Sequence, residues 1–146
     1  MNKVHENIVL KLAAIIYIGK FKDVIELGQL LLDEIGDELA DGGFWIWDFN
    51  SDDEFYSPQF RKSLGFEGEH DFPSKSTSWM NAIDEQDKER AFKNLDKNIN
   101  NEGAYYQIVT YTKKNGDPLT LLCSGSLMRD TKGKPLYLFG THKLDF

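Results

Sequence analysis

The chain has 146 residues, 40% hydrophobic and 28% charged, enough for one domain with a sizeable core and an added element but not for two full domains. Its net charge of −7 argues against phosphate-driven nucleic-acid binding and against an anionic membrane surface, since both need a basic face. One cysteine, Cys123, excludes an internal disulfide and fits a reducing cytosol, so a cytoplasmic location is expected.

Ile8 to Ile18 is nearly all apolar. Glu6 precedes the run, Lys11 interrupts it and no small-x-small cleavage site follows, so it does not read as a signal peptide. It is also shorter than the roughly 20 apolar residues that span a bilayer, so no membrane span is expected. Residues from about Glu6 to Ala40 read as helix: Ile8, Leu12, Ile15 and Ile16 recur at helical spacing, as do Phe21, Val24, Leu31, Ile35 and Leu39. Gly19 divides the stretch into a kinked helix or a helical hairpin. The first part is apolar almost all round and must be buried, against its own domain or a partner chain. Leu12, Ile15, Ile16, Phe21, Val24, Leu31 and Ile35 are therefore the candidates for a dimer or cap interface. The second part is amphipathic and ends at Asp41-Gly42-Gly43, with glycine suited to a helix C-cap. Residues 1–42 form an N-terminal helical extension in this reading, and residues 43–146 the main domain.

The period then changes to two. Phe44 to Phe49 reads as a strand, Asn50-Ser51-Asp52-Asp53 as a turn, and Glu54 to Ser57 as a short second strand. Ser57 suits a helix N-cap and Pro58 the first turn of a helix that stops near Gly65. Glu67 to Lys75 is a polar loop. Ser76-Thr77-Ser78 opens a helical region around Trp79, Met80 and Ile83, and Asp84 begins a longer helix to about Asn100, with Ala91, Phe92, Leu95 and Ile99 on its apolar side. Three strands follow: Ala104 to Thr112, Leu119 to Met128, and Pro135 to about Lys143. Lys114-Asn115-Gly116-Asp117 makes a hairpin turn between the first two, and Asp130-Thr-Lys-Gly133 closes the second.

The ordered set Gly43-Phe-Trp-Ile-Trp-Asp48, Tyr56-Ser57, Leu64-Gly65-Phe66, Asp87, Asn115-Gly116, Gly125, Asp130, Gly133 and Gly140 resembles a PAS domain of the subtype that opens with a "G-x-W-x-W-D" strand. The resemblance covers roughly Gly43 to Thr141. It implies an α+β fold: a five-stranded antiparallel sheet in the order 2-1-5-4-3, with a helical clasp between strands two and three. Asp84-Glu85 replace the usual His-Pro, Thr110 stands where Arg is common, and the fourth strand lacks its frequent Trp. Leu144-Asp145-Phe146 resembles the family's terminal "D-I-T", one residue late and without the Thr. The resemblance implies a bacterial sensory module, either free-standing or the sensor segment of a histidine kinase or diguanylate cyclase.

In this family the sheet and clasp enclose a pocket. Register nominates Ile46, Trp79, Phe92, Val109, Leu121 and Cys123 for its lining, with strand faces that a one-residue slip would flip. That lining suits a small apolar or aromatic ligand, or a filled core serving only protein interaction. Trp45 and Trp47 share one strand face and are expected to pack the N-terminal helix onto the sheet. Cys123 lacks the polar helical setting of flavin-adduct relatives and reads as a small core residue. His5, His70 and His142 have no metal-ligand spacing, and Asp84 to Asn100 carries no His, so neither haem nor metal is expected. Asp48, Asp52 and Asp53 read as a solvated turn. No nucleophile triad, phosphate loop or paired catalytic carboxylate stands out, so the domain is not expected to be an enzyme. The expected partners are a second copy of the chain, a small ligand and a downstream signalling domain or protein.

Overall fold

The computed structural model describes residues 3–36, 42–100 and 104–144. The expected helical positions 37–40, including Leu39, lie outside the described residues, as do Asp41, Asp145 and Phe146 and the side chain of Ile99. The elements are α1 (Lys3–Ile18), α2 (Val24–Ile35), β1 (Phe44–Asp48), β2 (Glu54–Tyr56), α3 (Pro58–Ser63), α4 (Ser76–Ala82), α5 (Glu85–Asn100), β3 (Ala104–Thr112), β4 (Pro118–Arg129) and β5 (Pro135–Lys143). The five strands form one antiparallel sheet in the order β2-β1-β5-β4-β3.

The sequence left a kinked helix or a hairpin open, and the chain forms the hairpin. Gly19 takes φ +72° and its N–H closes on the Ile15 carbonyl at 3.0 Å, ending α1 in the left-handed conformation that glycine adopts freely. Asp23 then starts α2 afresh, its carboxylate accepting from Glu26 N at 2.9 Å. β2 stops one residue before the expected Ser57 because that residue is engaged elsewhere. Its hydroxyl caps α3 by accepting from Phe60 N and also accepts from Phe44 N at 2.9 Å.

The sheet separates two cores. On one side α1 and α2 cover it: Ile8, Leu12, Leu27 and Leu31 bury against Phe44, Ile46, Phe55 and Phe139. On the other, α3, α4 and α5 close over Trp45, Tyr56, Val109, Tyr111, Leu121 and Cys123. Each fully buried Leu or Ile of the helical layer contributes roughly 1.5–3 kcal/mol relative to exposure, so the helix pair is firmly seated on its own sheet. Leu12, Val24, Leu31 and Ile35 are fully committed to that layer, and Ile15, Ile16 and Phe21 pack partly against it. The chain's own sheet and α2 do not cover α1 all round: Leu10, Tyr17 and Ile18 are 70%, 92% and 65% exposed.

Trp45 and Trp47 also need correction. They do not hold the N-terminal helices; both belong to the clasp side. Trp45 pairs with Gly140 on β5, where a Cβ would lie 2.4 Å from the indole. That glycine gives the large ring its room on the clasp face. On the helix face Gly28 of α2 does the same for Phe55, whose ring would meet a Cβ at 2.1 Å.

Buried His5 pins α1 to the sheet. Its Nδ1 lies 2.8 Å from Thr141 Oγ1 and its Nε2 2.8 Å from Ser126 Oγ, and its ring stacks on Phe139.

Candidate functional site

The interior between sheet and clasp carries a polar chain inside an aromatic core. The Trp79 indole N–H donates to the Tyr111 hydroxyl at 2.9 Å, and that hydroxyl lies 3.0 Å from His142 Nε2. An indole N–H can only donate, so the tyrosine oxygen accepts from Trp79, and the direction of its hydrogen bond with His142 Nε2 follows the imidazole tautomer. The other ring nitrogen, His142 Nδ1, is buried with no protein hydrogen-bond partner. Burial pushes His142 down to about 3, in keeping with a neutral ring. The Trp45 indole nitrogen is likewise buried without a protein partner, its ring centroid 6.2 Å from that of His142. Phe60 stacks on the other side of His142 at 4.7 Å. Cys123 lies beneath, its sulfur 3.9 Å from the Tyr111 hydroxyl, and burial pushes its thiol up to about 12. A neutral, inaccessible thiol has no nucleophilic role.

Glu54 reaches the same interior from the edge strand. It is fully buried, and neither carboxyl oxygen has a hydrogen bond of good geometry to the protein. Burial holds its carboxyl well above the usual range; the neighbouring Tyr56 hydroxyl partly offsets this and the Asp52 charge adds to it. The tyrosine has little to offer, because its proton goes to the Lys75 carbonyl at 2.7 Å while its oxygen accepts from Trp79 N at 3.1 Å.

The sequence nominees divide. Trp79, Val109, Leu121 and Cys123 come together on the clasp side, with Phe92 partly buried against Trp79 at a centroid distance of 6.0 Å. Ile46 does not join them: it is fully buried on the helix face. Every residue from Phe44 to Trp47 is apolar, so β1 shows no alternation from which its faces could be read. Tyr111, His142, Trp45 and Glu54 were missed. Tyr111 was within reach, two residues beyond Val109 on the same strand face. The Asp48, Asp52 and Asp53 cluster is a turn: Asp52 accepts from Trp47 Nε1 at 3.0 Å and Ser76 Oγ at 2.8 Å, and Asp53 pairs with Lys75. Among the described residues no group of three or more His, Cys, Asp or Glu is placed to hold a metal ion, and no helix is long and apolar enough to cross a membrane.

The two buried histidines make stability depend on acidity. Burial lowers His5 to about 4 and His142 to about 3, from an ordinary 6.5. Both stay neutral when folded while the unfolded chain takes up protons below about pH 6.5, so their contribution is present above that pH and is lost towards pH 4 and then 3. Glu54 works the other way, its contribution being full below the ordinary 4.5 and lost as pH rises. The expected result is that His5→Asn loses less melting temperature between pH 6.5 and 4 than the parent chain. Parallel curves for the two would show that His5 does not carry the effect.

Residues 53–142 match the family model described as PAS fold. No curated protein sequence matches the chain significantly. Among solved structures, a sensory box histidine kinase/response regulator from Burkholderia thailandensis E264 is similar with a TM-score of 0.59 and 21% identity, over 81% of this chain and 85% of that one. The N-terminal domain of a diguanylate cyclase with PAS/PAC sensor from Marinobacter aquaeolei gives 0.59 and 18%, over 68% and 90%. The PAS domain of the fruit-fly ELK potassium channel gives 0.60 and 15%, over 80% and 95%. At these identities the likeness is one of fold.

Proposed function

The chain belongs to the PAS-fold family, and from that premise we propose that it is a non-catalytic bacterial sensory module of the G-x-W-x-W-D subtype, which takes a small ligand between sheet and clasp. The observation that carries this reading is the pair of buried ring nitrogens, Trp45 Nε1 and His142 Nδ1, that have no protein hydrogen-bond partner on the clasp side. Buried polar atoms are nearly always satisfied in folded proteins, so a polar group from outside the chain is the economical partner. Val109, Leu121, Trp79 and Phe92 supply the apolar walls such a molecule needs.

The module works as a homodimer in this reading. Lys3, Asn7, Leu10, Ala14 and Tyr17 follow each other at heptad spacing along the exposed side of α1, with Ile18 beside them. Small Ala14 between Leu10 and Tyr17 lets a second α1 approach closely. An open groove of about 240 Å³, lined by Ile15, Ile18, Lys20, Leu30 and Glu34, continues that surface onto α2. A histidine kinase or diguanylate cyclase would be the natural recipient of the signal, since solved domains of both kinds share the fold.

Native mass spectrometry, compared with denaturing conditions, tests both parts at once. The expected spectrum is a dimer that carries an added small mass, reduced to monomer by Tyr17→Glu. A bare monomer at high micromolar concentration would overturn the dimer. A chain with no added mass, whose interior also takes up no small molecule on titration, would overturn the ligand reading in favour of a filled interaction domain.

A further inference from the structure

Among the described residues, Glu54 is the one buried carboxyl side chain. A structural role would give it a cation or a set of N–H donors, and it has neither. The cations near it are committed elsewhere: Lys75 pairs with Asp53, and Arg61 pairs with Glu69 and donates to the Tyr56 and Phe72 carbonyls. The charge that acts on it is that of Asp52, which is of the same sign.

The surroundings of Glu54 are aromatic. Trp47 stands directly opposite it across the β1–β2 pair, and Tyr56 lies two residues along the same strand face. Directly opposed side chains on one face of an antiparallel pair stand about 5 Å apart at Cβ. Trp47 is only half-buried and packs on Phe49 at a centroid distance of 4.6 Å, so the site borders solvent through these two rings. The Tyr56 ring is taken by the Arg61 guanidinium, 5.6 Å from its centroid, and by stacking on Phe60. A buried carboxyl without a cation of its own, opposite the half-buried Trp47, matches one ligand chemistry best, a positively charged nitrogen. Such a group gains an ion pair from the carboxylate and cation–π attraction from the Trp47 ring.

We infer that Glu54, with Trp47, is the specificity-determining subsite for a ligand that carries a protonated amine. This deepens the ligand-sensing reading and rests on it. The apolar part of the ligand points to the Trp79 and Val109 walls, and its nitrogen lies at the sheet edge, against Glu54.

Isothermal titration calorimetry tests the subsite on the purified full chain. The probes are primary amines from methylamine to phenethylamine, each set against the alcohol of the same carbon skeleton. The expected result is at least one amine that binds tenfold or more tighter than its alcohol, with that preference lost in Glu54→Gln. Amines and alcohols binding alike to both chains would overturn the subsite and leave the ligand-sensing reading standing. No heat from any probe would overturn the subsite too, while an added mass in the native spectrum would keep the sensor reading. Glu54→Met supplies the structural control: its melting temperature is expected to rise, because an unpartnered carboxyl is replaced by an apolar chain of similar length. A fall would show that the carboxyl holds the fold together, and would overturn the inference as well.

Discussion

Gly43→Ala is expected to destabilise the chain by roughly 2–5 kcal/mol. Gly43 sits at φ +80°, and a Cβ there would lie 2.4 Å from the Phe60 backbone nitrogen and 2.5 Å from Ser57 Oγ. The left-handed backbone costs an alanine about 1–2 kcal/mol. Overpacking adds about 1–3 kcal/mol, towards the upper end here because the obstacle is backbone. That obstacle cannot step aside. Ser57 is tied to Phe44 in both directions, and the Gly43 carbonyl accepts from His142 N at 3.0 Å, so the start of β1, the cap of α3 and the end of β5 converge on this position. Gly116→Ala is the matched control, because Gly116 has φ +92° with nothing within 4 Å of a Cβ. Urea unfolding followed by far-ultraviolet circular dichroism should separate the two variants by 1 kcal/mol or more. Equal losses would mean that backbone conformation alone sets the cost at Gly43.

Tyr111→Phe is expected to cost about 2–4 kcal/mol, although it removes a single oxygen. That oxygen accepts from Trp79 Nε1 and is hydrogen-bonded to His142 Nε2, and both partners are buried. Stranding a buried polar group costs about 1–3 kcal/mol, and here one deletion strands two. A Trp79→Phe variant isolates one arm. Combined with Tyr111→Phe, it should lose less than the sum of the single losses, since the two changes share one bond. Strict additivity, or a loss below 1 kcal/mol for Tyr111→Phe, would show that the chain of bonds is not what holds these rings.

The element order was legible because each segment carried its own signal. β3 and β5 begin and end where alternation and turn chemistry place them, and Ser57-Pro58 announced the start of α3. The sheet order came from the resemblance, since no pattern within one strand names its neighbours. Faces were legible only where one side of a strand differs from the other. Val109, Leu121 and Cys123 were placed on the clasp side correctly, but Phe44-Trp-Ile-Trp47 is a central strand buried on both faces, so Ile46 and Trp45 were exchanged. His142 was weighed only as a metal ligand. Its part depends on β4–β5 register, which brings it opposite Cys123 and beside Tyr111, and separations of that kind leave no local trace. Glu54 read as the acidic first residue of a short strand next to an acidic turn, and only burial distinguishes it from Asp52 and Asp53.

All three tryptophans of the chain, Trp45, Trp47 and Trp79, lie on the clasp side of the sheet, and α1 and α2 contain none. Intrinsic indole emission from this protein is thus a one-sided signal. It registers events around His142 and Glu54 at first hand, and it is blind to a helix pair that lifts off the opposite face while the clasp stays closed. A tryptophan placed at Leu27, under α2, would give the second core its own voice, and the two emissions together would show whether the halves of the molecule come apart as one body or in turn.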